Sequence, residues 1–154
     1  MPSSVSRAAV NATTRIRSDA LFFCSNGRRW CAWPVGDDTF PAEIIFYGLV
    51  ISVELSLKAL LLLAGASDDD NRRRIGHDLA KALTAAAEAG LPPPSSTITK
   101  LITIVHPHYM LGGFQRLVRD DWPIGFAPSA IRAAQELNSQ IRSMIEHGTV
   151  PSLG

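Results

Sequence analysis

One run dominates the 154-residue chain: IIFYGLVISVELSLKALLLLAGA, residues 44–66. It is as long as a bilayer-spanning helix, which needs about 20 apolar residues. Near its middle, however, stand Glu54 and Lys58. Two central charges cost roughly 5–7 kcal/mol on an insertion scale. The other home for a helix that is apolar almost all round is the centre of a bundle, sheathed by its neighbours. A content of 46% hydrophobic and 19% charged residues suits a globular protein and is too apolar for a disordered one. The run is therefore expected to be the central helix of a bundle in a single domain, residues 1–154.

The faces of this helix differ. Gly48, Ser52 and Ala59 fall on one side, where another backbone can approach closely. Tyr47, Glu54 and Lys58 share another stripe. Glu54 and Lys58 stand at i and i+4 in the favourable order, worth about 0.3–0.5 kcal/mol on a surface. Inside a bundle, loss of one partner costs roughly 3–5 kcal/mol. Asp38 and Thr39 offer caps, Pro41 suits a first turn, and Gly65 ends the helix after Ala64.

Four further helices follow from periodicity. Val5, Ala9, Ala12, Ile16, Ala20 and Phe23 make an apolar stripe over 4–24, which Asn26-Gly27 is expected to break. The arginine-rich, acid-free segment 1–18 also has the composition of an organelle transit peptide. The stretch 26–40 reads as a long irregular loop, and Trp30 and Trp33 beside Arg28 and Arg29 suit either a lid on the core or a base-stacking surface. The segment 67–74, SDDDNRRR, reads as a hydrophilic connection. Leu79, Leu83, Ala86 and Gly90 mark a third helix that PPP at 92–94 ends, and Ser95 or Ser96 can cap a fourth with Ile98, Leu101, Ile102 and Val105 inside. Residues 106–128 read as loop with one helical turn near 114–119. Ile131, Ala134, Leu137, Ile141 and Met144 make the last helix, which frays at Gly148. The expected class is all-α, an antiparallel bundle of about five helices with a long irregular loop between the first two.

Two motifs carry more. ELSLKALLLLAG at 54–65, then a polar linker, then GHDL at 76–79 resembles the HEPN-like domain family, whose members carry E-x-x-LKALL and HDL segments on consecutive core helices. The resemblance extends in element order over most of the chain, and the tryptophan-bearing stretch before the central helix looks like an insertion. It implies a four- or five-helix bundle that often pairs as a dimer. It implies either of two functions. Many members are metal-independent ribonucleases of toxin–antitoxin, defence or RNA-processing systems, with an Arg-x4–6-His motif. Others are non-catalytic dimerisation or partner-binding modules, some beside nucleotidyltransferases.

Arg72 with His77, and Arg142 with His147, both fit Arg-x4-His. In such chemistry a histidine near neutral pKa moves the proton of the RNA 2′-hydroxyl, and an arginine fork holds the charge on the phosphorane. Gly76 puts His77 at a helix end, which favours the first pair. His77 and Arg72 are then the catalytic candidates, with Glu54, Lys58 and Asp78 supporting them and Tyr109 and Arg116 lining the same cleft. The alternative reading makes His77 a helix cap hydrogen-bonded to Glu54, with Asp78 complementing the helix dipole.

The net charge of +1 draws the chain toward neither nucleic acid nor membrane as a whole. No metal site is expected from His106 and His108, since neither has a carboxylate or cysteine close in sequence. Cys24 and Cys31 fit neither a disulfide framework nor zinc spacing, so a cytoplasmic compartment is expected. No cofactor is implied; the expected partners are a second copy, RNA, and an antitoxin or nucleotidyltransferase-type protein.

Overall fold

The computed structural model describes residues 7–33, 41–110 and 123–148, with side chains for 13–33, 41–67, 69–107 and 123–148. Every regular element among them is helical: α1 (Arg7–Trp30), α2 (Ala42–Leu63), α3 (Asp68–Asp70), a π turn (Asn71–Ile75), α4 (Leu79–Glu88), α5 (Ser96–Met110), a 3-10 turn (Ile124–Phe126) and α6 (Ala127–His147). The expected caps Asp38 and Thr39, the start of the first helix before residue 7, and the helical turn expected near 114–119 lie outside the described residues.

α2 is long and apolar enough to cross a membrane by length and composition, yet 78% of its most apolar window is buried by the other helices. Phe46, Leu49, Leu57 and Leu60 are fully buried. α1 runs antiparallel to α2, since Trp30 lies on Gly48 and Gly27 lies on Ser52 and Ser56. α1 is antiparallel to α6 as well: Asn138 Nδ2 donates to the Cys24 carbonyl at 2.8 Å and Gln135 Nε2 to the Cys31 carbonyl at 2.9 Å. At the far end Arg17 donates to the Ile145 carbonyl. α2 and α6 therefore run the same way.

Asn26-Gly27 does not break the first helix, which continues to Trp30. A Cβ on Gly27 would stand 2.9 Å from Ser56 Oγ, 3.1 Å from the Ser52 carbonyl and 3.2 Å from Asn138 Nδ2. Glycine is present here because three helices meet at that point, and tertiary packing outweighs its low helix propensity. Gly48 does the same in reverse, its missing Cβ leaving room for the Trp30 carbonyl and the Trp33 ring at 3.0 Å.

The expected connection over 67–74 is helical too. Ser67 Oγ accepts from the Asp70 N–H at 3.0 Å and Asp70 Oδ2 accepts from the Ser67 N–H at 3.2 Å, a reciprocal cap. Those bonds, with Arg74 and Arg73 nearby, hold the Asp70 carboxyl below its usual range. A depressed carboxyl stabilises above its unfolded pKa, and the effect is lost as pH falls through the folded value. The short helix and π turn carry the chain back along α2, because Leu61 and Ala64 pack with Ala85, Ala89 and Ala66 while Glu54 meets His77. α4 consequently runs in the same sense as α2.

Two further boundaries differ from expectation. Asp78, not His77, caps α4, accepting the Lys81 N–H at 3.0 Å. α5 runs through His106 and Pro107 to Met110 instead of ending before them. Proline removes one intrahelical donor, but only the last turn lies beyond it, and Val105 at 0% exposure anchors the turn before it. Ser95 caps α5 through the Ile98 N–H at 3.3 Å, and α6 ends at Gly148 with φ +63°.

Gly27→Ala gains about 1 kcal/mol of helix propensity but overpacks the three-helix contact, which typically costs about 1–3 kcal/mol. The packing effect is expected to win, lowering the urea midpoint. Cys24 and Cys31 are both buried and unbridged. Burial pushes the Cys24 thiol up to about 11 and raises Cys31 as well. The thiolate is the reactive form. Native protein at neutral pH is therefore expected to resist a thiol-specific reagent at both positions, with both reacting after denaturation.

Candidate functional site

The site grows from one buried carboxylate. Glu54 is 7% exposed and Lys58 8% exposed, on the only stripe of α2 that carries charge. The i, i+4 spacing brings Lys58 Nζ to 3.7 Å from Glu54 Oε1. The same oxygen lies 2.7 Å from His77 Nδ1. An ionised carboxylate only accepts, so Nδ1 carries the hydrogen of this bond. In the neutral ring the lone pair then resides on Nε2.

Local backbone chemistry sets where His77 falls. The π turn closes with the Gly76 N–H donating to the Asn71 carbonyl at 2.9 Å. Gly76 then takes φ +55°, ψ −121°, a conformation that only glycine adopts without strain. This turns the chain onto the corner where His77 meets α2 and Asp78 begins α4. The His77 side chain is 65% exposed while that of Glu54 is 9% exposed. A buried anchor thus orients a ring that solvent reaches.

Of the other residues expected here, Arg72 is exposed in the π turn. Arg73 pairs with Asp69 at 2.9 Å and Asp70 at 3.6 Å, so the middle arginine serves α3. In the second Arg-x4-His pair, Arg142 Nε donates to Glu146 Oε1 at 2.9 Å on an exposed face of α6, and His147 is the exposed last residue of that helix. Among the described residues that pair has no buried carboxylate beside it. Tyr109 lies in the last turn of α5 and His108 beside it, but the side chains of both, and Arg116 altogether, lie outside the described residues.

Sequence reading missed one neighbour. His106, with no carboxylate close in sequence, has Nδ1 3.9 Å from Asp78 Oδ1 across the α4–α5 seam. The signal hidden by the loop assignment was the helical phase: His106 follows buried Val105 at the next position of the same helix. Among the described residues no three histidine, cysteine or acidic side chains gather as a metal site would require.

No protein-family model, no curated protein and no solved structure matches the chain.

Removing either member of the Glu54 cluster has different consequences. Glu54→Ala leaves Lys58 buried without its partner and is expected to cost about 3–5 kcal/mol. His77→Ala removes the ring's bond to Glu54 where water can take its place, a loss of about 1 kcal/mol. Urea denaturation of the two variants beside the wild type checks the order.

Proposed function

We propose that the chain is a HEPN-like helical protein acting as a metal-independent RNA endonuclease, with His77 as its acid/base. The observation that carries this is the 2.7 Å bond from a 65% exposed imidazole to a 9% exposed carboxylate. A fixed carboxylate orients the ring and holds it in one tautomer, as general acid–base catalysis requires. Arg72 is the phosphate clamp, five residues before His77. Glu54 and Lys58 hold the ring in place, and Asp78 fixes the helix start behind it. Tyr109 and Arg116 belong to the same cleft in this reading.

The chemistry is internal transesterification. The 2′-oxygen gives up its proton, attacks phosphorus and displaces the 5′-oxygen, which takes a proton. The products are a 2′,3′-cyclic phosphate and a 5′-hydroxyl. Arginine stabilises the charge that gathers on the phosphorane oxygens. We read the protein as a bundle of five long helices in which α1 opposes α2, α4 and α6, with the short return over 68–75 between α2 and α4 and a connection bearing Trp33 after α1. We place it in the cytoplasm, as a homodimer of toxin–antitoxin or defence type, with an antitoxin or nucleotidyltransferase-like partner. Two buried, unbridged cysteines are consistent with a reducing compartment.

A second reading has its own support. Trp30, Ile44 and Tyr47 are 41%, 47% and 44% exposed, and the Trp30 and Tyr47 rings meet edge to face at 6.5 Å. Exposed aromatics of this kind suit a docking face. In that case the chain is a non-catalytic dimerisation or partner-binding module, and Glu54, Lys58, His77 and Asp78 form a polar lock.

The test is cleavage of single-stranded RNA in chelator, with the ends analysed. Wild type is expected to leave 2′,3′-cyclic phosphates. His77→Ala should lose about 10²–10⁴-fold, the usual share of one acid/base, and Arg72→Ala should also fall, both at nearly unchanged melting temperature. A wild type that leaves RNA intact, or a His77→Ala that cuts as fast, would favour the lock.

A further inference from the structure

A concavity lies beside the π turn that leads into the Gly76 corner. It holds about 710 Å³ between the end of α2, the π turn, the outer face of α4 and α5. That is within the range of small-molecule sites. Neither Arg72 nor His77 lines it; it shares only Asp78 with the His77 corner.

Its wall contains an unexplained donor. Asn71 is 1% exposed, and its Nδ2 has no hydrogen-bond partner among the described residues. His106 Nδ1 is likewise buried without a hydrogen bond. Both residues line the groove. Native proteins seldom leave such atoms unsatisfied, and a ligand oxygen is one way to satisfy them. Asn71 also opens the π turn, an element that recurs at functional positions.

The charges narrow the ligand. Lys81 and Glu88 line the groove with no ion pair among the described residues, and Arg74 lines it beside Asp70, whose carboxyl it helps hold low. Asp70 is already engaged by Arg73 and Ser67, and Asp78 by the Lys81 N–H. The wall therefore offers two cations against one uncommitted carboxylate, with two engaged carboxylates besides. A dianion would meet net repulsion; a molecule with one carboxylate and one ammonium meets complementary groups at each end. Lys81 and Glu88 sit seven residues apart on one face of α4, about 10.5 Å along its axis. Leu61, Ile75 and Ala85 give the floor between them an apolar surface. Three extended residues of peptide span about 10 Å.

We propose that this groove binds a small zwitterion with separated charges, of the class of a free tripeptide. Its carboxylate faces Lys81 and Arg74, its ammonium faces Glu88, and a backbone carbonyl accepts from Asn71 Nδ2. This assignment stands whether or not the protein cleaves RNA.

The probe is free Ala-Leu-Ala, titrated calorimetrically into the full chain, beside its N-acetylated and C-amidated forms. Free peptide is expected to saturate the protein, and either cap to weaken binding about tenfold or more, a loss of about one charge-assisted contact. Lys81→Gln should erase the difference between free and amidated peptide, and Glu88→Gln that between free and acetylated peptide. Both positions are exposed, so the variants should fold, which circular dichroism verifies. Absence of saturation by about 1 mM, or equal binding of the acetylated form, overturns the proposal; the latter leaves a simple anion site.

Discussion

Glu54 is the constraint around which the rest is arranged. An ionised carboxylate on an otherwise apolar central helix must have partners or lose its charge, because burial of a lone ion costs several kcal/mol. Lys58 supplies one partner from the same helix. It stands 3.7 Å away, beyond a good hydrogen bond, so it offsets charge without fully satisfying the oxygens. His77 supplies the close contact at 2.7 Å. To deliver it, the chain must return from the end of α2 to the level of Glu54. The short helix, the π turn and Gly76 together make that return. Asp78 then caps α4, which runs in the same sense as α2.

The opposite side of α2 is governed by size instead of charge. Gly27, Ser52 and Ser56 allow α1 to lie close, and Asn138 from α6 ties the junction with bonds to Cys24 and Ser56. Asn138 is 2% exposed and its amide is used by both neighbours. A leucine at this point would push three helices apart. The polar residues in this core are therefore spacers as well as hydrogen-bonding groups. Close packing on this face and ion pairing on the other leave α2 little freedom to rotate about its axis.

These two faces were legible in the sequence to different degrees. The small-residue stripe of α2 and the polar stripe with Glu54 and Lys58 follow from angular spacing alone, and both proved to be contact surfaces. The apolar periodicities of α5 and α6 also located their buried residues, with Ile145 beside the expected Met144 as the deeper one; in α4 Leu79 and Ala86 are buried as expected, but Ala82 is buried where Leu83 is half-buried and Gly90 exposed. Reading failed where a local signal was overruled by a contact distant in sequence. Gly27 looks like a helix terminator until Ser56 and Asn138 are placed against it. SDDDNRRR looks like solvent-exposed linker until the Ser67–Asp70 reciprocal cap is counted. Pro107 looks like a stop, but near a helix end the lost donor matters little. His106 escaped notice because its carboxylate is Asp78, 28 positions earlier, and no local pattern announces that approach.

The asymmetry of exposure in the Glu54–His77 bond bears on what the corner is for. Were the bond needed only for stability, burial of both groups would strengthen it, since the interaction grows as water is removed. Instead the carboxylate is buried and most of the imidazole surface is left in solvent. Solvent competes for such a ring and weakens its contribution to folding. What survives is orientation: a donor fixed at Nδ1 and a ring plane fixed with it. The buried carboxylate thus orients a histidine whose ring solvent reaches. The same argument separates the two Arg-x4-His pairs. His147, exposed at the end of α6 beside a solvated Arg142–Glu146 pair, has no such buried anchor among the described residues, and its position asks no more of the fold than helix termination does.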